Sequence, residues 1–420
     1  MALNYVWIAF FIIGLVVALL KLIFLQDYDI FKRLVDGIFD SSKSSVMDVA
    51  LPLTGVMVFF LGLMNIGEKA GAINFLARKL NPFMKRLFPG VPDKHPAMGQ
   101  MVMNFSANML GLDNAATPFG LKAMDSLQSL NPNKETATNA QIMFLVLHTS
   151  GLTLLPLSIF AYRASSGSAD PTSVFIPCVI GTVITTIASI MITGIWQRLK
   201  FDWVLGGWLF VMLAAVVGFM LFISSLPSQA TVAADTFLTR ETFSKVFGNL
   251  VLFIIIVVFI GGGIWKRINV FDAFIEGAKG GWDVIVKIIP YLVGMLVAIR
   301  VFRESGALDF ITNCIAWVFS AMGVGNEFVP ALPVAIMKPF SGSGARGLML
   351  DLFKTHGPDS FVGQMASTFQ GSADTTFYIL ALYFGSVGIK KVRYAIWAGL
   401  LADFIGVIAA VIIAYFFFVH

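Results

Sequence analysis

The chain has 420 residues, of which 57% are hydrophobic and only 13% charged, and its mean hydropathy is +0.83. So few charges cannot clothe a water-exposed surface, which excludes a soluble domain and points to an all-α polytopic membrane protein. The formal charge of +5 is carried by loops that orient the spans; without aromatic residues interleaved among the basic ones, it gives no reason to expect a nucleic-acid partner.

A helix needs about 20 apolar residues to cross the hydrocarbon core. In chain order the clean candidates are Tyr5 to Leu25, Met47 to Asn65, Thr172 to Trp196, Trp203 to Ile223, Asn249 to Ile264, Val284 to Arg300 and Val392 to Phe418. Gln141 to Tyr162 and Phe361 to Gly385 are also long enough, but each is broken by Gly and polar residues. Ala97 to Met124 and Pro330 to Leu350 are broken more severely and read as re-entrant hairpins. The first run lacks a basic flank before it and a small-residue cleavage site after it, so a retained span is expected and not a signal peptide. Cys178 and Cys314 lie in apolar surroundings and read as free thiols.

The chain repeats itself weakly but in order. Phe31 to Gly37 resembles Phe271 to Gly277, a short amphipathic helix in both cases, 240 residues apart. Pro52 then matches Pro290, Gly71-Ala72 matches Gly306-Ala307, and Asn104-Phe-Ser106 matches Pro339-Phe-Ser341. Lys and Arg gather on the same loops when the two halves are inverted, as the positive-inside rule requires. The expected architecture is two inverted repeats with discontinuous helices and re-entrant hairpins, about nine crossings plus two hairpins. Its parts are residues 1–200, a linker span over 201–247, and residues 248–420, with the N-terminus cytoplasmic and the C-terminus outside. The spans at Tyr5, Trp203 and Asn249 are left over from the repeats and offer a surface for a homo-oligomer.

Broken helices in inverted repeats place unpaired N–H and C=O groups near the midplane, where they bind solute or ion without burying a full charge. In the first hairpin Asn104, Ser106 and Asn108 alternate on one side, Gly111 allows a tight bend, and Asp113, Asn114, Thr117 and Pro118 begin a returning helix. In the second, Ser341-Gly-Ser343-Gly-Ala-Arg346 combines Gly with hydroxyls, and Lys338 and Arg346 flank it, a composition suited to an anion. Such a cation needs a partner, either Asp351, Asp374 or the anion itself. The broken spans add Thr149, Ser150 and Gln370 as substrate contacts, while His148 reads as a hydrogen-bonded core residue. Asp113, Asp374, Thr375 and Asp403 are candidates for a coupling sodium ion or proton. The spacing fits neither a phosphate-binding loop nor a zinc site nor a nucleophile elbow, so no catalytic residue, metal or organic cofactor is expected.

Asn108-Met-Leu-Gly-Leu-Asp-Asn-Ala-Ala-Thr-Pro-Phe-Gly-Leu-Lys-Ala-Met124 resembles the signature of the spore maturation protein A family, with Asp113 where that family favours Gly. Lys338 to Asp351 and Gln370 to Ser386 resemble spore maturation protein B. The chain is therefore similar to the two joined end to end. Both belong to the nucleoside recognition or gate group, which implies a transport-like fold in a bacterial inner membrane. The function expected is secondary transport of a small polar, anionic or zwitterionic solute. The alternatives are a scaffold or solute sensor that moves nothing, and a protein that handles membrane lipid.

Overall fold

The computed structural model describes residues 2–92, 94–200, 202–227, 240–321 and 325–418. Its elements are α1 (Ala2–Leu25), α2 (Ile30–Ser44), a π-helical turn (Ser45–Ala50), α3 (Leu51–Lys69), α4 (Ala72–Leu87), α5 (Pro96–Met109), α6 (Asp113–Ser129), α7 (Asn139–Thr149), α8 (Leu157–Ser165), α9 (Phe175–Gln197) and α10 (Trp203–Ser225). Then follow α11 (Arg240–Trp265), α12 (Val270–Glu304), α13 (Ala307–Ala321), a 3-10 turn (Val329–Ala331), α14 (Leu332–Met337), α15 (Gly342–His356), α16 (Phe361–Gly371), α17 (Thr376–Ser386) and α18 (Ala395–Phe418). No strand forms among the described residues. All seven clean spans fall on helices long and apolar enough to cross a membrane.

Hydrogen bonds in the loops define two ends of the molecule. At the first, Arg393 Nη1 donates to Asn139 Oδ1 at 2.9 Å, and the Lys390 and Lys391 amides donate to the Glu135 carbonyl. The start of α7 therefore lies beside the end of α17. At the second, Arg163 donates to the Pro358 carbonyl at 2.6 Å and to Asp359 Oδ1 at 2.7 Å, bringing the end of α8 to the start of α16. The two broken helices consequently run antiparallel between the same ends.

Each hairpin re-enters. His95 and Ser129, at the outer ends of α5 and α6, are 3.5 Å apart, and Gln128 donates to the Val387 carbonyl, so both limbs open at the first end. The α14–α15 hairpin opens at the second end. There Tyr415, near the close of α18, donates to Glu327 just before the hairpin, and α15 finishes at Gly357 beside Pro358. The repeats are inverted.

The repeat extends further than the sequence pattern shows. Helices α1 and α11 are each followed by a non-glycine residue in the left-handed region, Gln26 (φ 52°) and Arg267 (φ 56°). Helices α4 and α13 each follow a left-handed glycine, Gly71 (φ 89°) and Gly306 (φ 87°). The spans at Tyr5 and Asn249 are thus counterparts of each other, leaving α10 without a mate.

Two expectations need correcting. Phe31 to Gly37 and Phe271 to Gly277 are not separate short helices. The first continues through the π-helical turn into α3 as a 40-residue helix, and the second opens the 35-residue α12. No Gly-Pro break intervenes, and the π turn absorbs the offset ahead of Pro52, whose missing N–H is tolerated in the first turn of α3. Likewise, Asn104 is not the mate of Pro339. Asn104 lies inside α5, whereas Pro339 is at a hairpin tip. The Leu154 amide donates to the Met109 carbonyl at 2.8 Å and the Phe377 amide to the Pro339 carbonyl at 2.9 Å, so Met109 is the equivalent of Pro339.

Helices α3 and α12, one from each repeat, pack antiparallel through glycines. A Cβ at Gly281 would stand 2.7 Å from the Val58 Cα, and one at Gly62 would stand 2.6 Å from the Phe274 ring. Asn65 closes the seam by donating to the Ala273 carbonyl at 2.6 Å.

Candidate functional site

The interruptions of the two broken helices meet midway between the ends. Helix α7 stops at Thr149 because Ser150, left-handed Gly151 (φ 62°) and Pro156 cannot continue it. Helix α16 stops at Gly371, and a four-residue break precedes α17. The amide of Asp374 donates to the Thr149 carbonyl at 2.9 Å, which satisfies one orphan carbonyl of α7 with one orphan amide of the other repeat. Each hairpin tip is bonded to the break of its own repeat by the Leu154 and Phe377 amides already described.

Against this crossing lies a cavity of about 410 Å³. One wall is α3 and α12, with Asn65, Glu68 and Glu276; the other is built by Asn108 and Gly111 of the first tip, Gly151 and Thr153 of the first break, Lys338 and Arg346 of the second hairpin, and Gln370 and Asp374 of the second break. Five predicted residues, Asn108, Lys338, Arg346, Gln370 and Asp374, are therefore brought together from three separate segments. Lys338 is 9% exposed and donates to the Gln370 carbonyl at 2.8 Å. Arg346 donates to the Tyr162 hydroxyl at 3.1 Å, with its guanidinium 5.5 Å from the centre of that ring. Asp374 Oδ1 accepts from the amide of Thr375 at 2.7 Å.

Other predicted residues support the site from behind. Asn104 donates to the Ala116 carbonyl at 2.7 Å, tying α5 to α6, and its Oδ1 is 3.0 Å from His148 Nδ1. Asn108 Nδ2 lies 3.2 Å from the same ring nitrogen, which serves one of the two amides at a time, so His148 is the core residue expected, buried between them. Ser341 caps α15 by accepting from the Gly344 amide, and its hydroxyl is 3.1 Å from that of Ser343. Thr149 bonds back to the Val146 carbonyl, and Ser150 pairs with Thr186 of α9 at 2.9 Å. Thr375 is buried against Gly342, and Thr117 is half-buried on α6. The side chains of Asp113 and Asn114 lie outside the described residues, though the backbone there opens α6 five residues ahead of Pro118.

Two placements differ from expectation. Ser106 does not share a face with Asn104 and Asn108, because the segment is helical and only residues four apart align; it bonds to the Val102 carbonyl within its own helix. Asp351 does not pair with Arg346 but with Arg303 of α12, at 2.5 Å. Asp403 is buried on α18 and accepts from Thr376 at 2.7 Å, away from the cavity lining. The sequence reading missed Tyr162, at the end of a broken span, Asn65 and Glu68, at and just after the end of a clean span, and Glu276, in a segment read as a short amphipathic helix. Tyr162, two turns beyond the Pro156 break, was the one with a recognisable signal.

A family model described as "Nucleoside recognition" matches residues 50–166 and 285–390, which brackets both hairpins and both breaks. Spore maturation protein B of Bacillus subtilis (strain 168) is 53% identical over 151 residues, 36% of this chain and 83% of that protein. Spore maturation protein A of the same organism is 38% identical over 189 residues, 45% of this chain and 92% of that protein. No solved structure matches the chain.

Proposed function

Because the chain belongs to the nucleoside recognition family, with nearly whole counterparts of two spore maturation proteins within it, we propose that it is a secondary transporter for a small zwitterionic or anionic solute. The observation that carries this reading is the cavity at the crossing, because its lining comes from both inverted repeats. A site shared in this way changes its exposure when one repeat rocks against the other, which is what alternating access needs.

The charge distribution supports the substrate class. Lys338, Arg346 and Asp374 share the lining, while Glu68 and Glu276 are exposed at its α3–α12 wall. Glu276 is already paired with Lys69, so a solute with a carboxylate toward Lys338 and Arg346 and an ammonium group toward Glu68 complements the lining. The cavity volume is within the range of small-molecule sites. A nucleobase would want a free aromatic face. Phe60 and Tyr162 are the rings in the lining, and Tyr162 already carries Arg346. In this reading the chain lies in a bacterial inner membrane with the Asn139 end cytoplasmic, where Lys390, Lys391 and Arg393 cluster. It carries out no covalent chemistry.

The test is counterflow into proteoliposomes from a panel of amino acids, dicarboxylates and nucleosides, read by mass spectrometry. Uptake of a zwitterion or carboxylate that Arg346→Ala abolishes in folded protein is expected. Uptake confined to nucleosides would overturn the substrate class, and no uptake of any probe would overturn transport.

A further inference from the structure

We propose that Asp403 is a proton-carrying group, separate from the solute cavity, that loads and unloads through a line of hydroxyls on α9; this deepens the transport reading above by naming the coupling site.

Asp403 is 7% exposed and lies within an apolar helix, α18. Its Oδ2 accepts from the Thr376 hydroxyl at 2.7 Å, but its Oδ1 is buried with no hydrogen-bond partner among the described residues. Gln370 is 8% exposed on α16, which packs against α18, and its Oε1 is likewise buried with no partner among the described residues. A buried carboxylate oxygen in this position is relieved by a bound proton, since in the hydrocarbon region no water from the bilayer satisfies it.

The charged groups that face Asp403 are Lys338 and Asp374, and both also line the solute cavity. Other titratable side chains on the surrounding helices are engaged elsewhere. His148 of α7 is held by Asn104 and Asn108, Cys178 of α9 packs on Gly371, and Tyr383 of α17 stacks edge-on with His148. A change of charge at Asp403 therefore acts on the two groups that would hold the solute.

A route for the proton is written along α9. Thr185 touches Gly406, one turn beyond Asp403, and Thr186 pairs with Ser150. On the same face follow Ser189 (1% exposed) and Thr193 (0% exposed), whose hydroxyls are buried with no hydrogen-bond partner among the described residues. The line ends near Gln197, which donates to the Asn139 carbonyl at the first end of the molecule. Hydroxyls one turn apart are about 6 Å from each other, so a water between successive ones completes the relay, each hydroxyl accepting on one side and donating on the other. Thr376 opens α17 directly after the break, so any motion of the break alters the hydrogen bond on Asp403 and with it the affinity for the proton.

The experiment is infrared difference spectroscopy of the full chain in lipid nanodiscs between acid and alkaline pH. The carbonyl stretch of a protonated, buried carboxylic acid is expected in the wild type, lost in Asp403→Asn and kept in Asp374→Asn. A band that persists in Asp403→Asn overturns the assignment. Should that variant fail to fold, Thr376→Val serves instead: it removes the donor to Oδ2, so the band must shift, and an unmoved band overturns the proposal. Counterflow measured in parallel separates the two readings. The Asp403 band without uptake of any probe upholds the proton site and sinks transport, whereas uptake without the band upholds transport and sinks the proton site.

Discussion

The amide of Asp374 donates to the carbonyl of Thr149 at 2.9 Å, so the two interrupted helices are latched to each other at their interruptions by main-chain atoms. Side-chain substitution at either residue leaves this bond in place, which makes the crossing a fixed point about which side chains can be varied. What the latch does require is room for close backbone approach.

Gly151 supplies that room. Its φ is 62°, and a Cβ there would stand 2.9 Å from the Asp374 nitrogen and 3.0 Å from the Ala373 carbonyl carbon. Gly151→Ala should therefore cost about 2–4 kcal/mol, combining the left-handed penalty with overpacking. A large drop in melting temperature in detergent is the expected readout, and an unchanged melting curve would remove the latch from the account.

The two ends of the molecule are fastened unequally. Arg163 is fully buried and donates to Pro171, Pro358, Ser367, Ser168, Asp170, Ser173 and Asp359. The corresponding ion pair at the other end, Lys390 with Glu135, is 72% and 58% exposed. Arg163→Ala should destabilise by about 3–5 kcal/mol, since it orphans carbonyls and a carboxylate. Lys390→Ala should cost at most about 1 kcal/mol. Comparable melting-temperature losses in the two variants would contradict this asymmetry.

Arg346 is oriented by the Tyr162 hydroxyl as well as by its ring. Tyr162→Phe keeps the ring and removes an acceptor to a charged donor, worth about 1.5–3 kcal/mol where fully buried and less in a half-open cavity. Solute affinity should fall roughly tenfold, measured by the concentration dependence of uptake. Arg346→Lys should not restore what Arg346→Ala loses, because an ammonium neither stacks nor forks.

Much of this site was legible in the sequence, for a physical reason. Asn108, Lys338, Arg346, Gln370 and Asp374 stand out because polar residues in apolar helices need an explanation whatever the fold, and all five line the cavity. Ser106 misled because period-two alternation and helical spacing cannot be told apart over three residues. Asp351 misled because its partner, Arg303, sits on α12, and proximity in sequence to Arg346 says nothing about proximity across helices. Glu68 and Glu276 stayed hidden because charges at span ends are expected for orientation alone. The mating of α1 with α11 shows only in backbone geometry, at Gln26 and Arg267, which no residue type betrays.

Opposed hairpins make a labelling prediction. In a Cys314→Ser background, cysteines at Lys94 and Asn133 should react with an impermeant maleimide from one side of the membrane. Cysteines at Asn326 and His356 should react from the other. Labelling of Lys94→Cys and Asn133→Cys from opposite sides would mean that the first hairpin crosses fully.

The glycine seam between α3 and α12 has a consequence for how the protein is put together. The seam joins the two repeats, and the chain connects them between α10 and α11. A protein expressed as two pieces cut there would have to form this seam as a bimolecular contact, with small residues drawing the backbones together in the absence of a hydrophobic driving force. Yield of the assembled pair would then depend on expression ratio, whereas one continuous chain holds the partners at fixed one-to-one stoichiometry and at high effective concentration.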